Sequence, residues 1–233
     1  RHKADGQGTF NEISENIKLL DKYGVSFNIL TVVTGEAAKN IRKIYYSYAQ
    51  KGWRYQQYIA CIDPLGEGHG NHSYGLTPDQ YGELWFEDWK KGRQPYIRQF
   101  ENYVGILLGY YPEACDQRGI CGIQTVVEAD GSVYPCDFYM IDEYKLGNLN
   151  ANRLADLDKK REETGFVQRS LKISDACKNC KYFKICRAGC QRNRDVIKGT
   201  NMYENYFCAG YKMFFDQCLN KLKMVAESVK QNQ

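Results

Sequence analysis

Ten cysteines punctuate this chain, and eight of them fall in two crowded stretches. Cys115, Cys121 and Cys136 form the first; Cys177, Cys180, Cys186, Cys190 and Cys208 form the second. Between 177 and 190 the spacing reads C-x2-C-x5-C-x3-C, and Gly131 stands before Cys136 as G-x4-C. A 4Fe-4S core takes four thiolates, one per iron, and short loops let consecutive cysteines wrap one cube. Eight ligands suffice for two cubes. With three early and five late cysteines, an even division requires one late cysteine to join the earlier three, and spacing alone does not say which.

A tetrahedral zinc module also uses C-x2-C pairs. One four-cysteine zinc site would strand several thiols, and two would have no use for the G-x4-C element. Cys61, in an expected strand, and Cys218, in an expected helix, suit the small buried hydrophobe that free cysteine commonly is. Neither is expected to be a ligand.

These residues sit in a chain of 233 residues that is 43% hydrophobic, enough for a real core in one large domain or two small ones. Lys plus Arg is 32 against 28 for Asp plus Glu, a net charge of +4 with no long basic arm, so nucleic acid is not expected. No signal-like opening occurs, and no apolar run approaches the roughly 20 residues needed to span a bilayer. The expectation is a cytoplasmic protein without a membrane role. There thiols stay reduced, and clustered cysteines bind metal rather than form disulfides.

The elements that must position the cysteines can be read in outline. Residues 9–23 carry Phe10, Ile13, Ile17 and Leu20 at helical spacing, with Gly24 as a stop. Residues 25–34 (VSFNILTVVT) are β-branched and apolar, as in a strand covered on both sides. Residues 36–51 suit a helix and 55–62 a second strand, followed by a Gly- and Pro-rich loop from Asp63 to Gly70. Helix, strand, helix, strand implies βα units. Thr77-Pro78-Asp79 opens another helix, through Tyr81, Leu84, Trp85 and Trp89, and residues 96–110 form the next. Beyond Cys115 the periodicity fades. Ala129-Asp130-Gly131 marks a hairpin between 123–127 and 132–134, and residues 209–230 close the chain as a helix.

The cysteine pattern resembles the SPASM domain of peptide-modifying radical S-adenosylmethionine (SAM) enzymes, whose arrangement is G-x4-C, a gap, C-x2-C-x5-C-x3-C, a gap, and C. The resemblance implies that Cys115, Cys121, Cys136 and Cys190 hold a first auxiliary 4Fe-4S cluster and Cys177, Cys180, Cys186 and Cys208 a second. Val133-Tyr134-Pro135-Cys136-Asp137-Phe138-Tyr139, with Leu146-Gly147-Asn148 after it, is similar to the anaerobic sulfatase-maturating enzymes, which convert a sulfatase Cys or Ser to Cα-formylglycine. By that likeness Asp137 is the general base. Losing the thiol or hydroxyl proton helps drive out an electron once a hydrogen atom has left the substrate Cβ.

The same resemblance implies an α/β fold. Residues 1–94 would be the second half of a radical SAM partial (β/α) barrel, and 95–233 the auxiliary-cluster domain with its C-terminal helix. The C-x3-C-x2-C loop of the SAM-cleaving cluster is absent, so SAM and a third 4Fe-4S cluster would belong to a longer polypeptide, this chain alone being inactive. The implied partners are a sulfatase polypeptide and a flavodoxin- or ferredoxin-like electron donor. Two rivals stand beside this reading: a SPASM peptide maturase making thioether or carbon-carbon crosslinks, and a non-enzymatic zinc module.

Other candidates have bland readings. Asp137 could merely cap a turn. His69 and His72 are expected to be solvated loop histidines, Gly66-Glu67-Gly68 an ordinary Gly-rich loop rather than a SAM contact, and most of the 19 tyrosines core residues.

Overall fold

The computed structural model describes residues 2–83 and 96–231. The later part of the expected helix, with Leu84, Trp85 and Trp89, and the 94/95 boundary lie outside the described residues. Helix α1 (Phe10–Lys22) precedes strand β1 (Ile29–Val33), helices α2 (Gly35–Lys39) and α3 (Ile41–Gln50), and strand β2 (Tyr55–Ala60). Strands β1 and β2 pair in parallel with Leu30 beside Gln57 and Val32 beside Ile59. Helix α4 (Pro78–Glu83) follows, then strand β3 (Tyr96–Ile97), which joins β2 in parallel, and helix α5 (Arg98–Leu107).

The single helix expected over 36–51 is two. Asn40 turns its side-chain amide back onto the Glu36 carbonyl and carboxylate, 3.3 Å from each, and its backbone leaves the helical region. Strand β1 is not covered on both faces. Its side chains alternate as in any strand: Thr31 reaches Tyr48 of α3, while Leu30 and Val32 on the other face stay half exposed. Of the stripe on α1 only Ile17 is buried, with Phe10 leaning on Trp53.

The cysteine-rich part is a series of short elements. Strands β4 (Val126–Val127), β5 (Ser132–Tyr134) and β6 (Gly147–Asn148) make an antiparallel sheet. Its first turn is the expected one: Gly131 has φ 85°, and a Cβ there would meet the Asn150 amide at 2.7 Å. Helices α6 (Leu154–Glu163), α7 (Phe166–Arg169), α8 (Asp175–Lys178) and α9 (Phe183–Cys186) lead to the hairpin of β7 (Arg194–Val196) and β8 (Tyr203–Asn205), and helix α10 (Cys208–Gln231) ends the chain.

Helix α10 ties the two parts together. Its Tyr211, Phe214, Phe215, Cys218 and Leu222 share one buried cluster with Val33 and Tyr58 of the parallel sheet, Phe100 and Tyr103 of α5, and Tyr182 and Ile185 near the cysteines. Aromatic rings fill it, Tyr81 stacking on Phe207 at 4.8 Å and Tyr103 meeting Phe215 edge-on at 5.2 Å. Among the described residues no helix is long and apolar enough to cross a membrane.

Candidate metal centre

The structure brings the eight clustered cysteines together as two foursomes. Cys115, Cys121, Cys136 and Cys190 line one hollow of about 500 Å³ of open space. Cys177, Cys180, Cys186 and Cys208 line another of about 420 Å³. These are the sets that the resemblance grouped, including the passage of Cys190 to the earlier three.

Local folding explains the placement. Cys115 starts a single 3-10 turn anchored by the Ala114 N–H, which donates to the Asn102 side chain of α5 at 2.9 Å. The Cys121 N–H donates to Ser170 Oγ at 3.0 Å. Cys136 follows the buried strand β5 and Pro135. Ser174 caps α8 by accepting from the Cys177 N–H at 3.1 Å, and Cys208 is the first residue of α10. The crossing is made at 186–190: Cys186 ends α9, Arg187, Ala188 and Gly189 all run left-handed (φ 51°, 64° and 63°), and Cys190 emerges at the other hollow. Two consecutive non-glycine residues with positive φ are uncommon and are held by their surroundings.

The donor chemistry suits iron and sulfide. Burial raises the thiols of Cys136 and Cys186 to about 12, with neighbouring cysteines and, at Cys136, Asp137 adding to it. Cys190 is pushed further in the same direction by the same cause. Thiolates so crowded repel one another, and cationic iron reverses that balance. Backbone amides already face the sulfurs: the Arg192 N–H donates to Cys190 Sγ at 3.4 Å. Each foursome rings a hollow rather than a point, and among the described residues no three His, Cys, Asp or Glu side chains are close enough to hold a single ion.

Asp137 opens the 3-10 turn after Cys136 and is exposed, with Cys136 Sγ–H donating to Oδ1 at 3.3 Å. It also lines a larger cavity, about 1500 Å³ of open space, between the parallel sheet and the first foursome. On one wall stand Gln57 and Ile59 of β2, on the face that β1 extends with Leu30 and Val32. Cys115, Cys190, Asp137 and Phe138 stand on the other. Asp116 lines it too, its carboxyl raised by burial against the pull of Arg98.

The loop after β2 is more ordered than its composition suggests. Asp63, 2% exposed, accepts from the N–H groups of Gly70, Asn71 and His72 at 2.5, 3.3 and 2.9 Å. Burial works to raise its carboxyl, but the three N–H donors outweigh it and the net shift is downward. The expectation of solvated histidines fails for His69, whose side chain is 5% exposed, packed on Tyr206 at 4.8 Å with Nδ1 2.7 Å from Asp195. His72, more open, pairs with Glu67 of the Gly66–Gly68 turn at 2.6 Å. Cys218 is buried as expected, and Cys61 is half-buried. Asp63 reads as part of a plain loop and Arg194 as one of the solvated Lys and Arg residues of 178–198, yet both are buried and bonded to backbone groups that only the fold delivers.

Residues 120–181 match SPASM, an iron-sulfur cluster-binding domain. The chain is 40% identical over 238 residues to a cysteine-type anaerobic sulfatase-maturating enzyme of Clostridium novyi, spanning 98% of this chain and 63% of that protein. It is 38% identical to the cysteine-type enzyme of Clostridium perfringens strain 13, spanning 99% and 64%. Against a serine-type enzyme of Bacteroides thetaiotaomicron identity falls to 25%, over 92% and 57%. The solved structure of native anSMEcpe with bound AdoMet and Cp18Cys peptide superposes with a TM-score of 0.88 at 37% identity, covering 98% of this chain and 65% of that one. The chain thus spans somewhat under two thirds of the length of the curated relatives it matches.

Proposed function

From a chain that carries a SPASM iron-sulfur domain and follows cysteine-type anaerobic sulfatase-maturating enzymes over nearly its whole length, we propose that it is the auxiliary-cluster part of such an enzyme. The complete protein would oxidise a cysteine of a sulfatase polypeptide to Cα-formylglycine. The observation that carries this is the pair of four-cysteine hollows, the first sharing a cavity wall with Asp137. Cysteine is favoured over serine as the target because identity is 37–40% to cysteine-type relatives and 25–27% to serine-type ones.

In this reading residues 1–94 are the second half of the barrel and 95–233 the auxiliary-cluster domain. Cys115, Cys121, Cys136 and Cys190 hold one 4Fe-4S cluster, and Cys177, Cys180, Cys186 and Cys208 hold the other. SAM and its own cluster would be held by a part of the protein outside this chain and would supply the radical chemistry at the substrate Cβ, while the cysteines of the two foursomes would hold clusters that supply an electron acceptor. The sheet face that carries Gln57 and Ile59 and the wall of the first foursome would enclose the peptide and keep water from it. The Asp137 carboxylate takes the substrate thiol proton. Loss of that proton and of one further electron leaves a thioaldehyde, which water converts to the aldehyde with release of hydrogen sulfide. The 233-residue chain alone would be inactive, and the complete enzyme would work in the cytoplasm with a flavodoxin- or ferredoxin-like reductant.

The test is mass spectrometry of a cysteine-containing sulfatase peptide incubated without oxygen with the full-length protein, SAM and a reductant. Formylglycine is expected. A crosslinked or unchanged peptide would contradict the proposal.

A further inference from the structure

Arg194, the first residue of β7, is 7% exposed and lines the first cysteine hollow. Its guanidinium donates to three carbonyls: Nε to Ala188 at 3.1 Å, Nη1 to Ser170 at 2.5 Å, and Nη2 to Gly189 at 2.6 Å. Among the described residues no carboxylate pairs with it. A buried guanidinium keeps its proton and is rarely left without an anion, because removing its charge from water is costly. Carbonyl dipoles alone are weak compensation.

The two cysteine hollows flank the bonds it makes. Gly189, whose carbonyl it holds, lines the first hollow, and Ala188, whose carbonyl it also holds, lines the second. Ser170, its third partner, accepts through Oγ from the N–H of Cys121 at 3.0 Å. Two of its three carbonyls belong to Ala188 and Gly189, inside the left-handed crossing that joins Cys186 to Cys190. The side chain therefore sits where the two sets of sulfurs approach each other, and it braces the backbone between them.

We infer that Arg194 is a redox-positioning residue shared by both auxiliary clusters, a fixed buried cation that favours the reduced, more negative form of each. The inference rests on the two-cluster reading above. Cluster potentials follow net charge, hydrogen bonding and exposure, and reduction adds one negative charge to a cube while the positive charge of Arg194 stays constant. A single cation in reach of both favours electron uptake at either cluster, and keeps their potentials moving together.

The experiment is an anaerobic redox titration of the full-length protein, read by the EPR signals of the reduced auxiliary clusters, for wild type, Arg194→Gln and Arg194→Lys. At full iron and sulfide content, the glutamine variant is expected to lose roughly tenfold in each cluster's one-electron reduction constant, a shift of about 59 mV to lower potential. The lysine variant keeps the charge but not the three-carbonyl clamp, and is expected to stay near wild type. Unchanged potentials in Arg194→Gln, or a shift in one cluster only, would overturn the inference. If the glutamine variant cannot hold its clusters, the lysine variant decides. Loading and wild-type potentials with lysine support the role of charge, whereas equal failure means that Arg194 acts through its hydrogen bonds alone, and refutes it. Wild-type protein lacking two auxiliary cluster signals would instead refute the two-cluster reading.

Discussion

Gly189→Ala tests the crossing between the foursomes. Gly189 has φ 63°, and a Cβ there would lie 2.5 Å from Asn205 Nδ2 and 3.2 Å from the Tyr211 hydroxyl. A left-handed backbone costs a non-glycine residue about 1–2 kcal/mol. The contact adds to this, because Asn205 cannot withdraw freely. Its amide donates to the Ala188 carbonyl at 2.9 Å and its Oδ1 accepts from the Phe207 N–H at 2.8 Å, both buried. Losing one or both of those bonds costs about 1 kcal/mol each, for a total near 2–4 kcal/mol. Gly165 is the control, with φ 61° and nothing within 4 Å of an added Cβ, so Gly165→Ala should cost only the backbone part, about 1–2 kcal/mol. Followed by cluster absorbance in an anaerobic thermal melt of the full-length protein, Gly189→Ala should melt about 2–8 °C below Gly165→Ala. Equal melting, or the reverse order, would refute the packing proposed around the crossing.

Cys190→Ala is expected to remove the first auxiliary cluster and leave the second, seen as loss of one EPR species. Disappearance of the second cluster alone would show that Cys190 does not cross. Asp137→Asn should lower the rate of formylglycine formation by about 10²–10⁴-fold with iron content unchanged, and a wild-type rate would remove Asp137 from the base role. Asp63→Asn, which puts an amide N–H against the three backbone donors of the loop, should destabilise the protein by about 1–3 kcal/mol at neutral pH in anaerobic urea titrations. Because folding lowers the Asp63 carboxyl, that advantage is present above the ordinary carboxylate value of about 4 and fades as pH falls through the lower folded value. The gap between wild type and variant should therefore narrow in acid, and a gap that widens there contradicts the assignment.

The cysteine pattern was legible because ligand loops are local: C-x2-C keeps Cys177 and Cys180 in one hollow whatever the rest of the chain does, whereas C-x3-C spans the crossing from Cys186 to Cys190, which spacing does not reveal. The Asp130-Gly131 turn was legible for the same reason, and the parallel pair β1 and β2 came from β-branched runs separated by a helical stretch. What escaped depends on distant partners. Helix α6 buries little besides Leu157 and Arg161, so it offers no apolar stripe to read. The break at Asn40 is a side-chain bond that competes with helix. His69 looked solvated because nothing in its Gly-rich loop announces Tyr206 and Asp195, which arrive from the β7–β8 region. Arg194 reads as one more surface charge until Ser170, Ala188 and Gly189 are folded around it.

Iron and acid-labile sulfide per chain in full-length protein purified without oxygen test the central claim most directly. Residues 115–208 should account for about eight of each, two four-iron cubes, beyond whatever the SAM-cleaving site contributes. Zinc bound without sulfide in that segment, or a content that leaves only one cube for it, would contradict the two-cluster centre.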